Sequence, residues 1–218
     1  MTVFSPPCRA KLLALLWIAL VLAGCGGEQP VLYTSLPRDA TVLVVGDSLV
    51  AGTGAPRGQS WPDELARRTG WSVINAGVPG NTSADAYRRL PELLDTHRPD
   101  AVIIAIGGND FLRSVPLETT SENVAAIVVE SRAATGHVAL VAIPAMSVGG
   151  ALVGRLSDHD MFARIAQEHG LAFVPAAVSH ALSRAELRAD RIHANADGYA
   201  HIAQGVVEAL ARHGWLAR

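Results

Sequence analysis

Apolar and polar positions fall into two kinds of block along this chain. Four short runs, Thr41 to Val45, Ala101 to Ile106, His137 to Ile143 and Leu171 to Val174, are almost continuously apolar and rich in Val, Ile and Leu. Runs of that length and composition predict strands buried on both faces. Trp71 to Asn75 (WSVIN) reads as a further strand, second in chain order. Helix signals lie between them. Ser60-Trp61-Pro62-Asp63 supplies a cap, a proline in the first turn and an acid three positions after the cap, so Pro62 to Arg68 is a helix presenting Leu65 to the core. Thr82 with Asp85 caps a helix reaching about Leu94. Ser121 begins one running to about Ala134, Ser157-Asp158-His159-Asp160 caps one through His169, and the last runs from about Asp197 to His213. Strands alternating with helices about five times predict an α/β fold: a central parallel sheet of about five strands, in three layers α/β/α. There is no internal repeat and no sign of a second domain.

Composition narrows the class. At 218 residues, 50% hydrophobic and 17% charged, the chain suits one domain with a sizeable core. A formal net charge of −2 leaves no basic excess for nucleic acid, and 5% aromatics offer no stacking platform for bases or sugars. The first residues read as a leader. Arg9 and Lys11 precede an apolar run from Leu12 to Leu22, too short for a membrane span of about 20 residues and matching the h-region of a secretory signal. It ends in Leu22-Ala23-Gly24-Cys25, which resembles the lipobox of a bacterial lipoprotein. The resemblance implies cleavage before Cys25 and lipidation of its thiol; the alternative is an ordinary signal peptide with a chance cysteine. Cys8 would leave with the signal, so no disulfide is available. The expected organisation is a signal peptide over 1–24, a lipidated cysteine and tether over 25–39, and one domain over 40–218. Gly26 to Leu36, extended, spans about 35 Å.

Candidate chemistry starts at Gly46-Asp47-Ser48-Leu49, where Ser48 sits just past a strand's carboxyl end. In an open parallel sheet ligands collect at that edge. Asp47 or Ser48 could equally cap the next helix. Gly52, Gly54 and Gly58 fit neither a dinucleotide nor a Walker spacing. The second strand runs into Asn75-Ala76-Gly77, where a backbone N–H at Gly77 would point into the crevice of Ser48. The third ends in Gly107-Gly108-Asn109-Asp110. Before the last helix stands Asp190-Arg191-Ile192-His193, in which the carboxylate can hold the imidazole Nδ1–H and leave Nε2 free for a serine proton. One such pair among 8 histidines is weak evidence alone; the order and placement of the four stretches together raise it.

Those four stretches resemble the blocks of the SGNH (GDSL-type) hydrolase family, in the family's order, over roughly Ala40 to His213. The wording is most similar to the thioesterase I/arylesterase/lysophospholipase L1 group. The resemblance implies a flavodoxin-like SGNH hydrolase fold, with Ser48 as nucleophile, His193 as general base and acid, and Asp190 as its orienter. It assigns the oxyanion hole to the N–H groups of Ser48 and Gly77 and the side-chain amide of Asn109. Asp47 and Asp110 are read as structural hydrogen-bond partners. Ala194 departs from the family, where many relatives have proline after the histidine. No Cys and His cluster offers a closed zinc site, so neither metal nor cofactor is expected. The expected activity is hydrolysis of short- to medium-chain acyl esters or thioesters, because the flanking stretches Phe111 to Leu117 and Ala145 to Leu156 are apolar but short. The alternatives are an O-acetyl esterase acting on peptidoglycan or polysaccharide, and a non-catalytic envelope lipoprotein of the same fold. The expected address is the cell envelope. Gly26 is not an inner-membrane retention aspartate, so in a Gram-negative source the periplasmic face of the outer membrane is favoured.

Overall fold

The computed structural model describes residues 1, 32–145 and 156–217. The proposed leader, Cys25 and the interior of the 145–156 stretch lie outside them.

Five parallel strands form the sheet: β1 Thr41–Gly46, β2 Ser72–Gly77, β3 Ala101–Ala105, β4 His137–Val141 and β5 Ala172–Val174. Their spatial order is β2-β1-β3-β4-β5. Crossovers between parallel strands follow a right-handed rule, and with it a reversal of winding direction between β1 and β3 sends helices to opposite faces. On one face lie α2 (Trp61–Thr69) and α8 (Ala196–Arg212), packed on each other, with α7 (Ala177–Leu182) against α8. On the other lie α3 (Ser83–His97), α5 (Leu117–Ala134) and α6 (Asp160–Glu168). β1 and β3, covered by both layers, are almost wholly buried, whereas the edge strand β2 is only partly covered. That change of winding direction between the parallel neighbours β1 and β3 also opens a crevice at their carboxyl ends.

Capping explains where two of the helices start. Ser60 Oγ and Asp63 form a reciprocal capping box, and Thr82 with Asp85 forms a second. α5 begins four residues before the expected Ser121, because Pro116 ends the preceding extended segment and its carbonyl accepts the Thr120 N–H. Three short helices were not expected, α1 (Ser48–Ala51), α4 (Gly108–Leu112) and α7, and the first two start at the crevice.

The chain enters the domain at the opposite pole. Tyr33 N–H donates to His213 O and Leu36 N–H to Trp215 O, at 2.8 Å each. Tyr33, His137 and Trp215 form an aromatic cluster with ring centroids 5.3–5.8 Å apart. His137 is the first residue of β4, and the Tyr33 hydroxyl donates to Gly170 O just before β5. The segment is thus fastened to the amino-terminal ends of the strands. Among the described residues no helix is long and apolar enough to cross a membrane.

Candidate active site

β1 hands the chain to the crevice without a loop. Ser48 opens α1 only two residues after the strand ends. A Cβ on Gly46 would lie 2.2 Å from Val50 Cγ2 and 2.4 Å from Ala105 O, so only glycine permits a helix to start this close to two strands. Asp47 does the capping: its Oδ1 accepts the Leu49 N–H at 2.9 Å. That leaves the Ser48 hydroxyl for another partner, His193 Nε2 at 2.9 Å.

His193 is held by a tight loop. Asp190 Oδ1 accepts the N–H groups of Ile192 and His193, both at 2.8 Å, while Asp190 Oδ2 meets His193 Nδ1 at 2.7 Å. Across the neck, Ala189 N–H donates to His193 O and Asn195 N–H to Leu187 O. Asn195 Oδ1 then caps α8 through the Gly198 N–H. Ala194 is fully buried between these anchors. Burial acts to raise the Asp190 carboxyl, but the hydrogen bonds from His193 and Ile192 outweigh it and hold it below the usual carboxylate range. An ionised Asp190 takes the Nδ1 proton as its donor, which leaves Nε2 as acceptor for the Ser48 O–H. The structure therefore brings Ser48, His193 and Asp190 into one hydrogen-bonded series across 145 residues of chain.

The two further carboxylates are fully bonded inside the protein. Asp110 accepts the Ser83 N–H at 2.8 Å and the Ser83 hydroxyl at 2.6 Å, tying α4 to α3. Asp47 is 3% exposed, and its Oδ2 accepts from Asn109 Nδ2 at 3.3 Å. Burial pushes its carboxyl up to about 6, with nearby Asp110 adding to the rise and the Leu49 N–H and His193 opposing it.

The expected oxyanion donors divide. The Ser48 N–H has no partner among the described residues. Asn109 sits beside Ser48 in the crevice lined by Asp47, Leu49, Gly108, Leu112, Ile192 and His193. Both of its Nδ2 hydrogens are engaged, the shorter bond going to Asn81 O at 3.0 Å and the longer to Asp47. Gly77 needs correction: its N–H donates to Asn75 Oδ1 at 3.0 Å and is not free. Its lack of a side chain serves packing instead, since a Cβ there would lie 2.2 Å from Ala51 N. Three residues on, the Gly80 N–H has no partner among the described residues. Val78 to Asn81 is a turn closed by Asn81 N–H to Val78 O at 3.1 Å, and Gly80 has φ +81°. Proline followed by glycine at positive φ is a type II turn, which leaves the glycine N–H unbonded. Pro79-Gly80 was the available signal for it.

Of the flanking stretches, Leu112 lines the crevice, and Ile192, from the loop that carries His193, lines it too. Phe111 instead stacks on His159 at 5.1 Å and meets Phe162 edge-on at 6.3 Å, against α6. Leu117 belongs to α5 and is exposed. Leu156, the end of the second flanking stretch, lines a larger cavity with Ser157, Ser179, His180 and His201, which contains none of Ser48, His193, Asp190 and Asn109. Among the described residues no group of three or more His, Cys, Asp or Glu could hold a metal ion.

A hydroxyl, an imidazole and a carboxylate bonded in series at a parallel sheet's carboxyl edge form the constellation of serine hydrolases. Comparison with known proteins gives the family: residues 44–201 match the model of the GDSL-like Lipase/Acylhydrolase family, to which the chain belongs. It is 30% identical to an arylesterase of Vibrio mimicus, over 79% of this chain and 88% of that one. It is 29% identical to thioesterase 1/protease 1/lysophospholipase L1 of Escherichia coli K12, over 78% and 83%. Among solved structures, TesA superposes with a TM-score of 0.69 at 28% identity, covering 78% of this chain and 97% of that one.

Proposed function

We propose that this protein hydrolyses acyl esters and thioesters through an acyl-enzyme on Ser48. The carrying observation is the series Ser48 Oγ–His193 Nε2–His193 Nδ1–Asp190 Oδ2, at 2.9 and 2.7 Å. His193 takes the Ser48 proton as Oγ attacks the acyl carbonyl, and Asp190 stabilises the imidazolium. The imidazolium returns the proton to the leaving alcohol or thiol. Water, deprotonated by the same ring, then releases the acid. The N–H groups of Ser48 and Gly80 and the amide of Asn109 serve as oxyanion donors. For Asn109 the oxyanion competes for the hydrogen now on Asp47, the longer of its two bonds. The names arylesterase and thioesterase carried by the relatives support ester and thioester chemistry.

The test is turnover of p-nitrophenyl esters from acetate to palmitate by wild type and Ser48→Ala. The variant is expected to fold and to lose activity, and wild-type rates from it would remove the mechanism. A shallow crevice with Leu112 and Ile192 on its wall supports short to medium acyl groups. Each added methylene gains at most about 0.8 kcal/mol until the wall is covered. A maximum at acetate alone, with strong turnover of O-acetylated glycans, would favour the O-acetyl esterase reading.

The Leu22-Ala23-Gly24-Cys25 sequence supports a lipid anchor on Cys25 and an address in the cell envelope. Two or more acyl chains give stable attachment. Metabolic labelling with a fatty acid should mark wild type and not Cys25→Ser; an unlabelled wild type would refute the anchor.

A further inference from the structure

Neighbouring arginines on α3 behave differently. Arg88 is exposed and pairs with Asp85 in an ordinary surface ion pair at 2.5 Å. Arg89 is half-buried, and its side-chain hydrogen bonds go to neutral oxygens. Its Nη2 donates to Gly46 O at 2.8 Å and its Nε to Asn81 Oδ1 at 2.9 Å. Burial lowers its pKa, and Asp85 one turn away only partly offsets that. Burying a charge against neutral acceptors is costly, so this arrangement calls for a specific reason.

The two acceptors supply one. Gly46 is the last residue of β1, two before Ser48. Its carbonyl also accepts the Val78 N–H at 3.1 Å, at the start of the turn that carries Gly80. Asn81 closes that turn, and its main-chain carbonyl holds Asn109 Nδ2. One guanidinium therefore joins the turn bearing the nucleophile to the turn bearing the oxyanion donors. A planar fork can hold two oxygens in fixed relation, which the single ammonium of lysine cannot.

We propose that Arg89 is a positioning residue that sets the spacing between Ser48 and its oxyanion donors. The proposal rests on the reading of Ser48 as nucleophile. Misplacement of about 1 Å can cost on the order of 10²-fold in rate, so Arg89→Gln and Arg89→Lys are each expected to lose about 10–10² in kcat. KM should change little, because Arg89 touches no substrate. The discriminating readout is the double variant with Asn109→Ala. If Arg89 acts through the shared frame, the losses of Arg89→Gln and Asn109→Ala combine to clearly less than their product. A second readout is added guanidinium at tens of millimolar, expected to restore part of the kcat of Arg89→Ala where methylammonium does not.

Fully multiplicative losses, a change confined to KM, or unchanged kcat in folded Arg89→Gln would overturn the proposal. So would failure of both Arg89→Gln and Arg89→Lys to fold, which would make the residue structural. Ser48→Ala run in parallel separates the two readings. Activity retained there removes the nucleophile assignment, whereas an inactive Ser48→Ala beside a fully active Arg89→Gln removes only this inference.

Discussion

Asn109 spends one Nδ2 hydrogen on Asn81 and lends the other to Asp47. Its loss should therefore be felt when charge develops and less before. Asn109→Ala is expected to lower kcat by about 10²–10³ with a smaller effect on KM. Steady-state kinetics on one ester checks this, and an effect confined to KM would make Asn109 a ground-state contact. Asp47 makes a different prediction. Its folded pKa, near 6, lies above the unfolded value, so its protonated form is the one the fold favours. The stability it contributes is full below about pH 4 and is lost as pH rises through 6. Urea unfolding of wild type and Asp47→Asn should show the variant gaining about 2 kcal/mol relative to wild type between pH 4.5 and 7. A constant difference would mean that Asp47 does not titrate in that window. The same residues show what a sequence reveals at this scale. Asp47 and Asp110 could be read as structural partners because they flank the motif serine and asparagine. A glycine's letter does not say whether its N–H is spent or whether its missing Cβ serves packing, so Gly77 is distinguished from Gly80 only by the proline that precedes Gly80 and marks the turn.

The strands were legible because a continuous run of Val, Ile and Leu has few ways to be buried, and β1 and β3 came out within a residue of expectation. Two helix starts were legible through their capping boxes at Ser60 and Thr82. The helices of four and five residues, α1 and α4, were not, since one turn carries no periodicity. α1 is capped by Asp47 Oδ1 on the Leu49 N–H, whereas α4 starts from Gly107 in left-handed backbone at φ +118° with no side-chain cap. Gly77→Ala tests how closely α1 is fitted to β2. The new Cβ would meet Ala51 N at 2.2 Å, so the helix carrying Ser48 must move. We expect a loss of about 1–3 kcal/mol in unfolding free energy together with a lower kcat. Unchanged stability and unchanged kcat would show that α1 is not closely fitted to β2 at this point.

At the scale of the whole domain, the strand order β2-β1-β3-β4-β5 puts the crevice on one pole, and the Tyr33–Leu36 segment lies bound to His213 and Trp215 on the other. Both ends of the domain are knotted together there by the Tyr33, His137 and Trp215 rings. A support coupled to the chain just upstream of residue 32 therefore grips the protein by its back. Coupled to a bead at that point, the enzyme should keep its free-solution kcat/KM for a small soluble ester, while the same bead joined to a cysteine introduced at Leu112 should block turnover. Immobilised this way, the working mouth points to the solution, and what reaches it is set by diffusion from the open side.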